Sequence, residues 1–226
     1  MEHKRLEPLL EPVPLTFGET IYKLQSPIDY VYFPDSGVLS LLGVNGIEDP
    51  VEVGLLGPEG LAGLPLLLGV SHSANEVIVQ GEGSAKRINA EVALAEFRRV
   101  GAFHDAVLRF AHHLFVQVSA TTSCNRHHEV EARLSRWLLM MRDRVETDTL
   151  QLTQQFLSWM LGVRDQAVSK AAISLQKSGS INYNRGEVRI VNRKQLERSA
   201  CACYRLTAAH TDGSPPHKWA PEARLY

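Results

Sequence analysis

Residues 152–192 constrain this chain more than any other stretch. Leu157, Met160 and Leu161 recur at helical spacing, so a short amphipathic helix is expected from about Gln154. Thr153 precedes it as an N-cap, its hydroxyl placed to accept from a backbone N–H one turn on. Gly162 ends the helix, because glycine takes a left-handed φ at no steric cost. Val168, Ala171, Ala172 and Leu175 then share one face of a second helix that stops at Ser178-Gly179-Ser180. Two helices joined by a tight glycine turn predict a helix-turn-helix, whose second helix can enter a DNA major groove. Ile181-Asn182-Tyr183 and Val188-Arg189-Ile190-Val191 alternate like strands around the turn Asn184-Arg185-Gly186-Glu187. That hairpin supplies a wing.

The competing interpretation of the same pattern is an αα-hairpin packed on a ribbon, without nucleic acid. Charge separates the two. Residues 150–206 hold nine Lys/Arg against three Asp/Glu, a net of 9 − 3 = +6. Residues 1–125 hold eight against fifteen, a net of 8 − 15 = −7. The overall charge of −1 therefore hides a basic segment behind an acidic one. Phosphate contacts need clustered cations rather than a basic whole protein, so double-stranded DNA is the expected partner.

Length allows two domains with their own cores: the chain has 226 residues, 44% hydrophobic and 22% charged. No apolar run approaches the roughly 20 residues that span a bilayer, so no membrane partner is expected. The opening MEHKRLEPLLEPVP lacks a signal peptide's apolar region, and three cysteines do not form a disulfide framework. Both point to the cytoplasm.

Along the chain, Leu6, Leu9 and Leu10 fit one helical turn before Pro12 and Pro14 break it. Short apolar runs follow, separated by turn residues: Ile21-Tyr22, Tyr30 to Phe33, Val38 to Leu42, Val51 to Val53 and Val77 to Val79 read as strands. Turns are expected at Ser26-Pro27, Pro34 to Gly37, Asn45-Gly46 and Gly81 to Gly83. This spacing suggests a barrel or sandwich. Gly57-Pro58-Glu59-Gly60 interrupts it as a glycine-rich turn opening an apolar helix, a kind of helix start that can bind anions.

A short helix with a charged face (Glu91, Glu96, Arg98, Arg99) is expected over residues 90–101, and a long one from about Phe103 to Ser123. Leu108, Ala111, Phe115, Val118 and Thr122 form one stripe of the long helix; Val107, Phe110, Leu114 and Thr121 form a second. One stripe can pack on the strand domain, and a twin helix is the simplest partner for the other, which predicts a homodimer. Cys124-Asn125-Arg126 is the expected hinge. Another helix runs from His128 to Val145, with Val130, Leu134, Trp137, Leu138, Met141 and Val145 inward and Glu129, Arg133, Arg136, Arg142 and Arg144 on a charged face. Residues 193–206 read as a last helix, and the tail as disordered.

Strands with a glycine-rich cassette, then a long helix, a hinge and a winged helix: over about residues 15–206 the chain resembles the Crp/Fnr family of bacterial transcription regulators. The segments that carry the resemblance are YVYFPDSGVLSLL, VGLLGPEGLAGLPLLLG, EVEARLSRWLLMMRDRV and LTQQFLSWMLGVRDQAVSKAAISLQKSGSI. It implies an α+β fold with a cyclic-nucleotide-binding-like β-roll sensor domain (1–102), a dimerisation helix and hinge (103–125), a winged helix-turn-helix (126–206) and a disordered tail (207–226). It also implies promoter-proximal DNA binding and RNA polymerase as a partner.

The effector cassette falls on Gly57, Glu59, Gly60, Leu64, Ser73 and Asn75, and it departs from the cyclic-AMP-binding pattern. Leu64 lies on or near the position of the ribose-binding glutamate, and the phosphate-binding arginine position falls within Ser73-Ala74-Asn75. A cyclic phosphate without a cation is poorly compensated for its lost hydration, so the pocket is expected to be degenerate toward cyclic AMP and any effector an unknown small molecule. An iron–sulfur centre like that of the oxygen-sensing branch needs about four thiolates, and Cys124, Cys201 and Cys203 are three, none N-terminal.

Carried over by position, Asp165, Gln166 and Lys170 are the expected base readers. Gln166 suits adenine, Lys170 suits guanine O6/N7, and Asp165 stands where cyclic-AMP-responsive members have arginine. Thr153, Arg164, Ser169, Lys177 and Arg185 are the expected DNA-backbone contacts, each otherwise a solvated surface residue. Cys124, His127 and His128, with His112-His113 one helix away, are residue types that ligate metals, but a site needs three or four converging ligands and adjacent histidines point to different helix faces, so no metal and no cofactor are expected. Cys201-Ala202-Cys203 late in a helix makes an intramolecular bond geometrically hard. No nucleophile–base–oxyanion set appears, so no catalytic residue and no enzyme are expected. The alternative function is a small-molecule or redox sensor signalling through a protein partner.

Overall fold

The computed structural model describes residues 5–43, 50–145, 147–184 and 186–208. The expected turn at Asn45-Gly46, Arg185 and most of the tail (209–226) lie outside the described residues. The fold is α+β, with an N-terminal β-roll, a long helix and a C-terminal winged helix-turn-helix.

The roll contains β1 (Glu11–Leu15), β2 (Thr20–Tyr22), β3 (Tyr30–Pro34), β4 (Val38–Gly43), β5 (Val51–Leu56), β6 (Glu76–Gly81) and β7 (Gly83–Asn89), with the four-residue α1 (Leu64–Leu67) between β5 and β6. They form two antiparallel sheets, in the orders β1-β7-β3 and β2-β6-β4-β5. Residues 11–15 were expected only to break a helical turn, yet they form a strand. β1 sits at the sheet edge and pairs with β7 alone, where Pro12 and Pro14 need not donate to a second neighbour. Side chains of both sheets close a core around Val31, Leu39, Leu56, Val79, Ala85 and Ile88.

The helix α2 (Ala90–Phe97) is shorter than expected, and Glu96 on its predicted charged face is buried, paired with Arg5 and with Arg99 at 3.1 Å. Asn89 caps it by accepting from the Glu91 N–H. The long helix α3 (Ala102–His127) lays Val107, Phe110, His113, Gln117, Ala120 and Cys124 against the rest of the chain. Gln117 both accepts from the N–H of Leu55 at 2.6 Å and donates to its carbonyl at 3.0 Å, fastening α3 to β5. The expected hinge at Cys124-Asn125-Arg126 is helical. The chain turns at His128 instead, because Cys124 is fully buried against the C-terminal residues and holds the last helical turn in place.

After the turn come α4 (Val130–Val145), β8 (Thr149–Gln151), α5 (Gln154–Leu161), α6 (Asp165–Lys177), β9 (Ile181–Asn184), β10 (Glu187–Ile190), α7 (Arg193–Ser199) and α8 (Cys203–Ala208). Helix α4 forms the floor of this domain; Leu134, Trp137, Leu138 and Met141 join Leu157, Val168, Leu175 and Leu196 in one core that also takes in Val38, Leu42 and Leu55 of the roll. Three of the five residues of its expected charged face are not solvated: Arg133, Arg136 and Arg144 are buried, because the roll, α3 and α5 cover them, while Glu129 is exposed and Arg142 half-buried. The single helix expected over 193–206 is two helices that break at residues 200–202, and the second reaches Ala208, into the expected tail.

Candidate nucleic-acid interface

Thr153 caps α5 by accepting from the Phe156 N–H at 3.1 Å, and Gly162 ends it at φ 59°. Helix α6 follows after a short turn. Its buried face is Val168, Ala171, Ala172 and Leu175, the stripe expected from the sequence. The opposite face exposes Asp165, Gln166 and Lys170, with Arg164 at the N-cap and Lys177 in the last turn. Gln166, Lys170 and Ile173 stand at i, i+4 and i+7, so they form one outward row.

Ile173 was missed by the sequence reading. It is 55% exposed on the outward face of α6, and it is an aliphatic group of the kind that can pack on a thymine methyl. The signal was available, since Ile173 falls outside the stripe formed by Val168, Ala172 and Leu175. Ser169 is half-buried and donates to the Asp165 carbonyl at 2.9 Å, so its hydroxyl is committed to the helix.

The wing is three-stranded, in the order β8-β10-β9, one strand more than expected. Val188 and Ile190 point into the core and Arg189 points out, the alternation that a half-buried strand requires. A Cβ on Gly186 would stand 3.7 Å from Thr153 Cγ2, so the wing turn lies beside the start of α5. Arg164, Lys170, Lys177 and Arg189 are exposed, whereas Arg193 is not a free cation. It donates to Asp143 at 2.5 Å, Glu197 at 2.8 Å and the Tyr204 hydroxyl at 2.8 Å, and Tyr204 donates in turn to Asp143 at 2.6 Å.

The face of α3 expected to dimerise is open in the monomer. Phe115 is 71% exposed and Leu108 45%; Thr122 is exposed, and Ala111 and Val118 are half-buried. Of the second stripe, Val107 and Phe110 are buried against the roll.

The cassette residues divide into two groups. Leu64, Ser73 and Asn75 line a roll cavity of about 110 Å³, together with Tyr22, Leu41, Leu56 and Leu114. Its polar groups are engaged with backbone: Tyr22 donates to the Tyr30 carbonyl at 2.6 Å, Ser73 to that of Asn75 at 2.7 Å, and Asn75 to that of Leu42 at 3.2 Å. Burial pushes the Tyr22 hydroxyl well above its ordinary pKa. No Lys or Arg among the described residues lines the cavity.

Gly57, Glu59 and Gly60 face elsewhere. Glu59 accepts from Arg144 of α4 at 2.7 and 2.6 Å, and a Cβ on Gly57 would stand 2.9 Å from the Arg144 stem. Gly60 is packed more closely still by the Phe110 ring. The expected anion cradle is therefore a docking point between roll, long helix and winged helix, and the helix it was expected to open starts only at Leu64, with Gly63 as its N-cap.

Cys124, His128, Cys201 and Cys203 converge, with all four ligand atoms within 4.8 Å of one another. The sequence reading set metal aside for want of converging ligands; two of the four come from the C-terminal turn, which the sequence does not place beside α3. His127 is not in the cluster. Hydrogen bonding with Cys124 pulls the Cys201 thiol below its ordinary pKa, while that contact and burial push Cys124 up.

Residues 132–199 match the family model for the Crp-like helix-turn-helix domain. No curated protein matches the chain. Solved structures do. A transcriptional regulator of the Crp/Fnr family from Eubacterium rectale superposes with a TM-score of 0.70 at 15% identity, over 87% of this chain and 92% of that one. FixK2 from Bradyrhizobium japonicum gives 0.71 at 14%, over 85% and 98%. The c-di-GMP responsive global regulator CLP from Xanthomonas campestris gives 0.69 at 14%, over 84% and 97%.

Proposed function

We propose that this chain, a Crp-like helix-turn-helix domain set in the Crp/Fnr regulator fold, is a sequence-specific DNA-binding transcription regulator that acts as a homodimer. The observation that carries the proposal is the outward face of α6. It combines groups that read base edges (Asp165, Gln166, Lys170, Ile173) with a cation at the helix start (Arg164), on a helix whose other face is fixed in the core. Arg164, Lys170, Lys177 and Arg189 supply the exposed charge that phosphate contacts use. Thr153, Ser169 and Arg185 are assigned to the backbone side as well, Ser169 through its helix position rather than its committed hydroxyl.

Homodimerisation is assigned to the exposed stripe of α3, where Leu108 and Phe115 stand one heptad apart. In this assignment 1–102 is the sensor, 103–125 the dimerisation segment and 126–206 the reader, with RNA polymerase as the downstream partner. The roll cavity is assigned no cyclic nucleotide. Ligand pockets occupy roughly 300–1,000 Å³, and this one is smaller and lacks a cation for a phosphate. The test is selection of bound sequences from a random duplex pool with the purified full chain. A twofold-symmetric motif supports the proposal, and recovery of unenriched sequence overturns it.

A further inference from the structure

We infer that Cys124, His128, Cys201 and Cys203 form a binding site for one tetrahedral, thiolate-preferring divalent cation, of which zinc is the best fit, and that it clamps the C-terminal turn to the end of the long helix. Cys124 and His128 stand one helical turn apart at the end of α3, with the His128 N–H donating to the Cys124 carbonyl at 3.0 Å. Cys201 and Cys203 flank the break between α7 and α8. The Sγ atoms of Cys124 and Cys201 lie 3.4 Å apart, and Cys203 Sγ lies 3.7 Å from His128 Nδ1. A tetrahedral ion with metal–sulfur bonds of about 2.3 Å and metal–nitrogen bonds of about 2.0 Å sets its ligands roughly 3.5–3.8 Å apart. These two separations lie within about 0.4 Å of the tetrahedral values, and all four ligand atoms lie within 4.8 Å of one another, so side-chain rotations can bring them onto one ion. An iron–sulfur cluster distributes its thiolates over separate irons and needs a wider frame.

Charge supplies an independent observation. Arg133 and Arg136 are 7% and 5% exposed, and neither forms an ion pair with a carboxylate among the described residues. The Nε of each has no hydrogen-bond partner. Both lie within electrostatic reach of Cys124. Buried guanidinium ions are costly without full charge compensation, and Glu52, an acid within electrostatic reach of Arg136, is itself pushed toward its neutral form by burial. A divalent ion held by three thiolates and a neutral imidazole carries a net charge of −1, which these cations offset. Binding takes all three cysteines as thiolates, releases to solvent the protons that they still carry, and leaves every oxidation state unchanged.

The clamp would act where α3 turns into α4, the point that sets how the winged helix sits on the dimerisation helix. This inference does not depend on the DNA-binding proposal, and its readouts involve no DNA.

The experiment titrates reduced, metal-free full chain with cobalt(II) and then zinc. One equivalent per chain is expected, giving the intense visible bands of tetrahedral cobalt with thiolate-to-metal charge transfer, bleached by zinc. Zinc should raise the melting temperature, and a chelator should reverse the rise. Cys201→Ser and His128→Asn alter half-buried positions, so they are expected to fold, as circular dichroism would verify, and to lose stoichiometric binding. Weak octahedral cobalt spectra, no stoichiometric uptake by the wild-type chain, or a Cys124–Cys201 disulfide that persists in reductant would each overturn the inference.

Discussion

The indole Nε1 of Trp137 donates to Glu52 Oε1 at 2.8 Å, joining the winged-helix floor to strand β5 of the roll inside a fully buried contact. Ser40 donates to the other carboxylate oxygen at 2.8 Å. With Arg144 on Glu59 and Gln117 on Leu55, three polar ties bind roll, long helix and winged helix together. The roll is therefore in direct polar contact with the helix-turn-helix domain.

The first prediction follows from burial of Glu52, which raises its pKa from 4.5 to about 7 against the lowering effects of Ser40, Trp137 and the nearby Arg136 and Arg144. Because the folded value lies above the unfolded one, the native state holds more protons between those limits. This group's contribution therefore falls as pH rises from about 4.5 to 7, by up to ~3 kcal/mol. Glu52→Gln should flatten that part of the stability profile and be relatively more stable above pH 7. Urea unfolding across pH 4.5–8 checks this; parallel profiles for the two proteins would refute it.

Phe115→Glu should keep the fold, since the side chain is exposed, and should yield monomers by light scattering. Affinity for a two-half-site duplex should fall by about 100- to 10,000-fold, because one chain no longer presents the second reading helix to the second half-site. An unchanged mass would move the dimer interface elsewhere.

Cyclic AMP should shift the melting temperature by less than about 1 °C, because a ligand stabilises only by binding the native state. A saturable rise at micromolar nucleotide would mean that the cavity opens to admit it.

The helix-turn-helix and the β9–β10 hairpin of the wing were legible because their elements carry their own periodicity and their own boundaries, a start at Thr153 and stops at Gly162 and Gly179. The exposed and covered stripes of α3 were legible for the same reason. What depended on tertiary contact was not. Arg133, Arg136 and Arg144 look like a solvated face until the roll and α5 cover them. β1 was obscured by prolines that only an edge strand tolerates. The cysteine cluster joins residues 77 positions apart, and neither half suggests a site by itself.

The most direct test of base reading by α6 is a paired titration of Gln166→Ala and Arg164→Ala on the selected operator and on random duplex at several salt concentrations. Gln166→Ala should lose about 1–3 kcal/mol on the operator and little on random DNA. Arg164→Ala should weaken both alike and reduce the salt slope by about one unit per subunit. An equal loss on both duplexes for Gln166→Ala would contradict the assignment of α6 as the reading helix in this register.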